Sequence, residues 1–250
     1  MSAVAVNPVT KLFVALLLAL ALLLSIDVVS AGVAVALVLV LLPWSGLGPR
    51  ALLVRVGPLL LAAVLAGITT ALYGIDSGPV LLALGPVTVT RGSVLLAAAI
   101  ALRVLAIGIP GVVLFATIDP TDLADALAQR LHLPARFVLG GLAALRLAEL
   151  MVDDWRAIEL ARRARGVADR AWVRRAAGQG FALLVLAVRR GGRLATAMEA
   201  RGFGAPGPRT WARPSTFGPP DVVLAVIGVL VTIVAVGAAL LAGTWRFVGG

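Results

Sequence analysis

The chain has 250 residues, of which 61% are hydrophobic, and its mean hydropathy is +1.05. A soluble domain carries roughly 45–50% apolar residues, so this excess, gathered into repeated apolar runs of about 17–25 residues, indicates a polytopic membrane protein. The net charge is +10, there is no cysteine and His132 is the single histidine, which excludes disulfides, thiol chemistry and a multi-histidine zinc centre.

The charge is unevenly placed. Sixteen of the 22 Lys and Arg and nine of the 12 acids fall between Ile118 and Gly218, giving that block a net +7. Such a block belongs on the cytoplasmic side of a membrane and attracts anionic lipid heads. Few aromatic residues are interleaved with its arginines, so nucleic acid is not an expected partner.

Spanning segments should be helices, because every backbone N–H and C=O in lipid needs a partner within the segment. Asn7-Pro8 makes a helix start, with Asn as N-cap and Pro at the first position. Lys11 follows, and an apolar run continues to Ile26; from Pro8 this is 19 residues, or roughly 28 Å, enough to span. A basic start before an apolar run is also the mark of a signal peptide, but a second apolar run follows at once. Asp27 interrupts the sequence and reads as the tip of a tight hairpin at the outer surface. Val28 to Trp44 returns, and Gly46, Gly48, Pro49 and Arg50 form an inner loop, with Trp44 at the interface and Arg50 and Arg55 holding the inside. Leu52 to Tyr73 is the third span. Gly74 to Ser93, with Asp76, Ser77, Gly85 and Pro86, is either an outer loop or a short re-entrant piece. Val94 to Ile118 is the fourth span and contains Arg103 and Pro110.

The polar block opens on Asp119-Pro120-Thr121-Asp122, again an N-cap with Pro at the first position and an acid in the first turn. Leu123, Ala126, Leu127 and Leu131 then line one face of an amphipathic helix, which Leu133-Pro134 ends. Ala135 to Gly166 reads as one long helix. Its apolar part, Phe137 to Val152, holds Arg146 and Glu149; a second apolar run, Phe181 to Val188, has only eight residues. Neither spans, so both are expected to bury against each other or against the membrane bundle. Pro206, Pro208, Pro214, Pro219 and Pro220 mark a linker. Asp221 opens the last span, Val222 to Leu241, which places the C-terminus and Arg246 outside, beside the interfacial Trp245.

Two phrases stand out in the middle block. Ala161-Arg162-Arg163-Ala164-Arg165-Gly166 and Ala197-Met198-Glu199-Ala200-Arg201-Gly202 share the pattern A-x-x-A-R-G, 36 residues apart. Gly is preferred just past a helix, where the backbone turns to positive φ, and Arg in the last turn suits the helix dipole. A single copy is therefore a well-capped helix end. Two copies with the same flanking alanines suggest more, because small residues allow close approach and the guanidinium fork fits a carboxylate on a partner.

With these motifs the chain resembles the transmembrane T component of energy-coupling factor (ECF) transporters, the scaffold of vitamin and metal-ion importers of the ATP-binding-cassette type. The likeness runs over nearly the whole chain: Asn7-Pro8 to Lys11-Leu12, Arg103, Asp119 to Leu123, Leu133-Pro134, Leu145-Arg146, both A-R-G motifs, and Arg201-Gly202-Phe203 on to Arg209-Thr210. It implies an all-α membrane protein of about five transmembrane helices with a cytoplasmic block of amphipathic coupling helices. Residues 1–118 would be the N-terminal bundle of four spans, 119–202 the coupling region, 203–220 a Pro/Gly-rich linker, and 221–250 the last span and tail. Ala164, Arg165, Gly166 and Ala200, Arg201, Gly202 would dock on two ATPase subunits, and a membrane-embedded S component would bind the substrate. The protein would lie in the cell membrane, multi-pass, with its N-terminus and coupling region cytoplasmic. Arg162, Arg163 and Arg165 crowd the first motif, so the resemblance leaves open which of them docks.

No catalysis and no cofactor are expected of the chain itself, since Lys11 is its only lysine and a phosphate-binding G-x-x-x-x-G-K pattern is impossible. Arg103, deep in its span, reads as an internal pin or as a contact for the S component. Glu159 with Arg163 and Asp153 with Arg156 read as ordinary pairs along one helix, and His132 as a cap or surface residue. A different class, an integral membrane enzyme acting on lipid or phosphate head groups, needs a nucleophile or acid–base set that the scattered acids do not form. A lone carrier needs polar residues in several spans, whereas Arg103 is nearly alone at depth.

Overall fold

The computed structural model describes residues 6–74, 78–84, 87–166, 172–205 and 210–245. Asp76, Ser77, Gly85, Pro86, Pro206, Pro208, Arg209 and Arg246, which carried turn, linker or flanking roles in the sequence reading, lie outside them. The described residues form eight α-helices and one small hairpin. The chain divides into two compact units, Met1–Leu123 with Ser215–Gly250, and Ala124–Pro214.

In the first unit α1 (Pro8–Leu23) starts as the capping residues demand: the Asn7 side chain accepts from the Val9 N–H at 3.0 Å, and Pro8 takes the first position. The helix is apolar but has 16 residues, short of the four helices that are long and apolar enough to cross a membrane. Those four are α2 (Val28–Leu41, continued by a 3₁₀ turn to Ser45), α3 (Pro49–Tyr73), α4 (Arg91–Phe115) and α8 (Pro219–Leu241). The helical membrane architecture expected from composition therefore holds.

Asp27 lies in the short turn between α1 and α2, but its side chain is turned inward. It is 5% exposed and caps α2, accepting from the Ser30 N–H at 2.6 Å and from the Ser25 and Ser30 hydroxyls at 2.9 and 2.6 Å. A buried carboxylate needs such a set, since burial without donors is costly. The stretch before α4, read as an outer loop or a short re-entrant piece, contains a β-hairpin. Strands β1 (Val80–Leu84) and β2 (Val87–Thr90) pair antiparallel, with Leu82 opposite Val89 and an irregularity between Val80 and Leu82. Thr90 ends the hairpin and caps α4 in a reciprocal box: Ser93 N–H donates to Thr90 Oγ1 at 3.1 Å and Thr90 N–H to Ser93 Oγ at 3.0 Å.

The core of this unit is built by α1, α2, α3, α4 and α8, with Leu18, Leu22, Ala34, Val38, Ala106, Ile109 and Ala235 at its centre. Small residues let helices approach closely, which matters in lipid, where apolar faces gain little from meeting one another. At Gly228 of α8 a Cβ would come within 2.6 Å of Val14 Cγ1 on α1. Gly228→Leu should therefore force α1 and α8 apart, costing about 1–3 kcal/mol and lowering the unfolding midpoint in detergent by roughly 3–10 °C. Gly237→Ala, on the same helix with nothing within 4 Å of the new Cβ, is the control; equal midpoints for the two variants would contradict the close contact.

The second unit takes α5 from Ala124 onward (the whole helix is Pro120–Arg130), with α6 (Ala135–Ala164) and α7 (Trp172–Ala200). Asp119 caps α5 as expected, accepting from Thr121 N–H at 2.7 Å. Of the expected face of α5, Ala126 is buried, Leu123 and Leu127 are half-buried and Leu131 is 51% exposed, while Ala124 and Ala128 are buried besides. His132 is exposed and closes the helix in the left-handed region, at φ 52°. Within the second unit α6 packs on α7, and the two apolar runs are only partly covered. Phe137, Leu145, Phe181 and Val188 are exposed, and α6 buries no residue at all.

Candidate functional site

Both A-R-G phrases end helices. α6 stops at Ala164, and Gly166 takes φ 69° with its N–H donating to Arg163 O at 3.0 Å. α7 stops at Ala200, and Gly202 takes φ 80°; Gly202 N–H donates to Glu199 O and Phe203 N–H to Met198 O, both at 2.9 Å. This pair of bonds is the Schellman closure that a left-handed glycine permits. Ala164, Arg165, Gly166, Ala200, Arg201 and Gly202 are all exposed.

The surroundings separate the three arginines of the first phrase. Arg162 is half-buried and lies over α7, its Nη2 only 3.1 Å from where a Cβ on Gly178 would stand. Arg163 donates from Nη2 to Glu159 Oε1 at 2.6 Å, the pair expected from i,i+4 spacing. Arg165, one step beyond the helix, is exposed like Arg163, but none of the ion pairs found on α6 engages it. The Asp153–Arg156 pair is present as well, at 3.6 Å and well exposed.

One ion pair was invisible to the helix spacing rules. Arg190 of α7 grips Asp154 of α6 with both ends of its fork, Nη1 on Oδ2 and Nη2 on Oδ1, the latter at 3.0 Å. The side chains are 33% and 20% exposed. With Arg162 over Gly178, this fixes α6 against α7 at two places. Arg201 lies 23 residues beyond Gly178, so at 1.5 Å per residue the two tips are held about 35 Å apart on one strut. Arg190 and Asp154 are each readable as charges in the sequence, but nothing local says that they meet.

Arg103 sits in the middle of α4. Its Nε and Nη2 are buried and have no hydrogen-bond partner, and Asp27 is the acid whose field acts on it. A cavity of about 350 Å³ in the same unit is lined by Val14, Leu18, Val38, Val113, Ile227 and their neighbours, almost wholly apolar. Among the described residues no three His, Cys, Asp or Glu side chains gather in a way that could hold a metal ion.

Four helices long and apolar enough to cross a membrane, joined in one chain to a basic unit that presents two arginine-tipped helix ends, define the class as a multi-pass membrane protein. The chain belongs to the CbiQ family of cobalt transport proteins, whose family model matches residues 2–210. That membership agrees with the likeness to ECF T components. The chain is also similar to a putative ABC transporter ATP-binding protein of Bifidobacterium longum, 33% identical over 127 residues, which cover 48% of this chain and 16% of that protein. The chain thus spans only about a sixth of that relative's length.

Proposed function

We propose that the chain is the non-catalytic membrane scaffold of an ATP-driven ECF-type importer of a transition-metal ion or a vitamin. Its family points to cobalt. Two ATP-binding-cassette subunits dock on the tips, one on Arg165 and its neighbours Ala164 and Gly166, the other on Arg201 with Ala200 and Gly202. The similarity to an ABC transporter ATP-binding protein supports partners of that kind. A membrane-embedded S component carries the substrate and covers the apolar faces of α6 and α7 that the chain leaves exposed. The coupling region, 119–202, and the N-terminus face the cytoplasm, where the nucleotide is. Arg103 acts as an internal pin, since its buried Nε and Nη2 favour a place inside the bundle over a surface contact.

The observation that carries this reading is the pair of exposed, glycine-closed arginine tips set about 35 Å apart on a single strut. A separation of that size supports docking on two different bodies, and closure of the two ATPases on ATP then becomes a shear along α6 and α7. The test is co-expression with two nucleotide-binding subunits and a substrate-binding membrane protein. The expected result is a co-purifying complex that drives ATP-dependent uptake of labelled cobalt or vitamin into vesicles. A chain that purifies without ATPases, or transports without ATP, overturns the reading.

A further inference from the structure

The chain crosses between its two units twice, leaving after Leu123 and returning at Ser215. Both crossings are tied, on the spanning side, to one turn of α1. On the outgoing side Lys11 is 1% exposed, and its Nζ donates to Thr117 O and Thr117 Oγ1, both at 2.9 Å. Thr117 lies just past the end of α4 and three residues before α5, and its own hydroxyl donates to Leu114 O at 2.8 Å. The ammonium therefore caps the carbonyl end of α4, where the helix dipole favours a cation. Asp122, in the first turn of α5, and Asp221 add negative field at the same amine.

On the returning side Asn7 Nδ2 donates to Ser215 Oγ at 2.8 Å and to Thr216 O at 3.2 Å. Asn7 N–H and Thr10 Oγ1 both donate to Asp221 Oδ1, at 2.7 and 3.0 Å, while Asp221 Oδ2 accepts from Gly218 N–H at 2.7 Å. Asn7, Thr10 and Asp221 are all buried. The partners are 106 residues apart in sequence on the outgoing side and 208 or more on the return. The Gly218–Asp221 bond belongs to the capping of α8, but the bonds that run from α1 to these segments are not needed to start α1, for Pro8 and the Asn7 side chain already do so. Apolar helix faces in lipid slide over one another at little cost, whereas a satisfied polar knot resists displacement.

We propose that the first turn of α1 is the joint that delivers displacement of the Ala124–Pro214 unit to the spanning helices. Lys11 holds the outgoing connection to the end of α4, and Asn7 with Asp221 holds the returning connection to the start of α8. Lys11, Asn7 and Asp221 are positioning residues for transport: they touch neither nucleotide nor substrate. This rests on the coupling role proposed above.

The test uses the assembled transporter in vesicles and reads three quantities: ATPase subunits retained, rate of ATP hydrolysis, and substrate taken up per ATP hydrolysed. Lys11→Met keeps the length and removes the charge. It should retain the ATPases and hydrolyse ATP within about twofold of wild type. Uptake per ATP should fall by about tenfold or more, and Lys11→Arg should restore most of it. Thr117→Val and Asn7→Ala each remove part of the knot and should lower the same ratio by about threefold, which carries the test if Lys11→Met does not assemble. An unchanged uptake per ATP in assembled Lys11→Met, or in both milder variants, overturns the joint. So does a loss of uptake that only tracks the amount of complex. Wild-type chain that holds no ATPases would instead overturn the coupling role itself, so the two failures are told apart.

Discussion

Arg165→Glu combined with Arg201→Glu is expected to abolish capture of the ATPase subunits while leaving the chain folded. Removing one partner of a docked charge pair costs about 2–5 kcal/mol, so a single reversal should weaken capture roughly 30- to 5,000-fold. The two tips sit on one strut, so each engagement raises the effective concentration of the other, and losing both leaves nothing to rebind. The fold should survive, because both side chains are exposed and the glycines that close the helices remain. The expected change in unfolding midpoint is only about 1–3 °C, from the reversed charge at each helix end. The neighbours supply the control. Arg163 is already held by Glu159 and Arg162 lies over Gly178. Arg163→Ala should leave capture within about twofold of wild type, since exposed pairs of this kind contribute little, whereas Arg165→Ala should not. A pull-down in which Arg163→Ala weakens capture more than Arg165→Ala would assign docking to the wrong arginine.

The second large effect concerns the strut. Asp154→Ala should leave the Arg190 guanidinium half-buried and unpaired, and Arg190→Ala should do the same to Asp154. Each costs about 1–3 kcal/mol, because a two-pronged, charge-assisted pair is stronger than a neutral hydrogen bond and its survivor remains partly desolvated. The double variant should cost little more than either single, giving a coupling energy of about 1–2 kcal/mol. The same cycle on Asp153 and Arg156, which are 71–74% exposed, should give no more than a few tenths of a kcal/mol. Unfolding midpoints of the four variants in each cycle measure both numbers. Equal coupling energies for the two pairs would mean that Asp154 and Arg190 do not lock α6 to α7. If they do, Asp154→Ala should also slacken the spacing of the tips, and uptake per ATP should fall although each ATPase still finds its arginine.

Much of the architecture is local and so was readable in the residues. A helix start needs only a capping side chain and the next three positions. Asn7-Pro8 and Asp119-Pro120 therefore announce α1 and α5, and the two A-R-G phrases announce where α6 and α7 stop. Membrane crossing is also local, because it depends on the length and composition of one run. The strand pair 80–90 was missed although Val87-Thr88-Val89-Thr90 has the β-branched alternation of a strand; the Gly and Pro around it drew the reading toward a loop. The apolar runs on α6 and α7 are only partly covered within their own unit. Hydrophobicity demands a cover without saying whose surface supplies it.

Residue types and spacing by themselves determined a polytopic helical membrane protein, its basic middle block and the two arginine-tipped helix ends. Tertiary structure alone decided that Arg162 of the first tip lies over Gly178, that Asp154 meets Arg190, and that Lys11 closes on Thr117. Caps and spans are settled within a few residues of chain. A pairing between side chains 36 or 106 positions apart depends on which helices pack and at what register, and every charge in the block offers several partners until packing selects one.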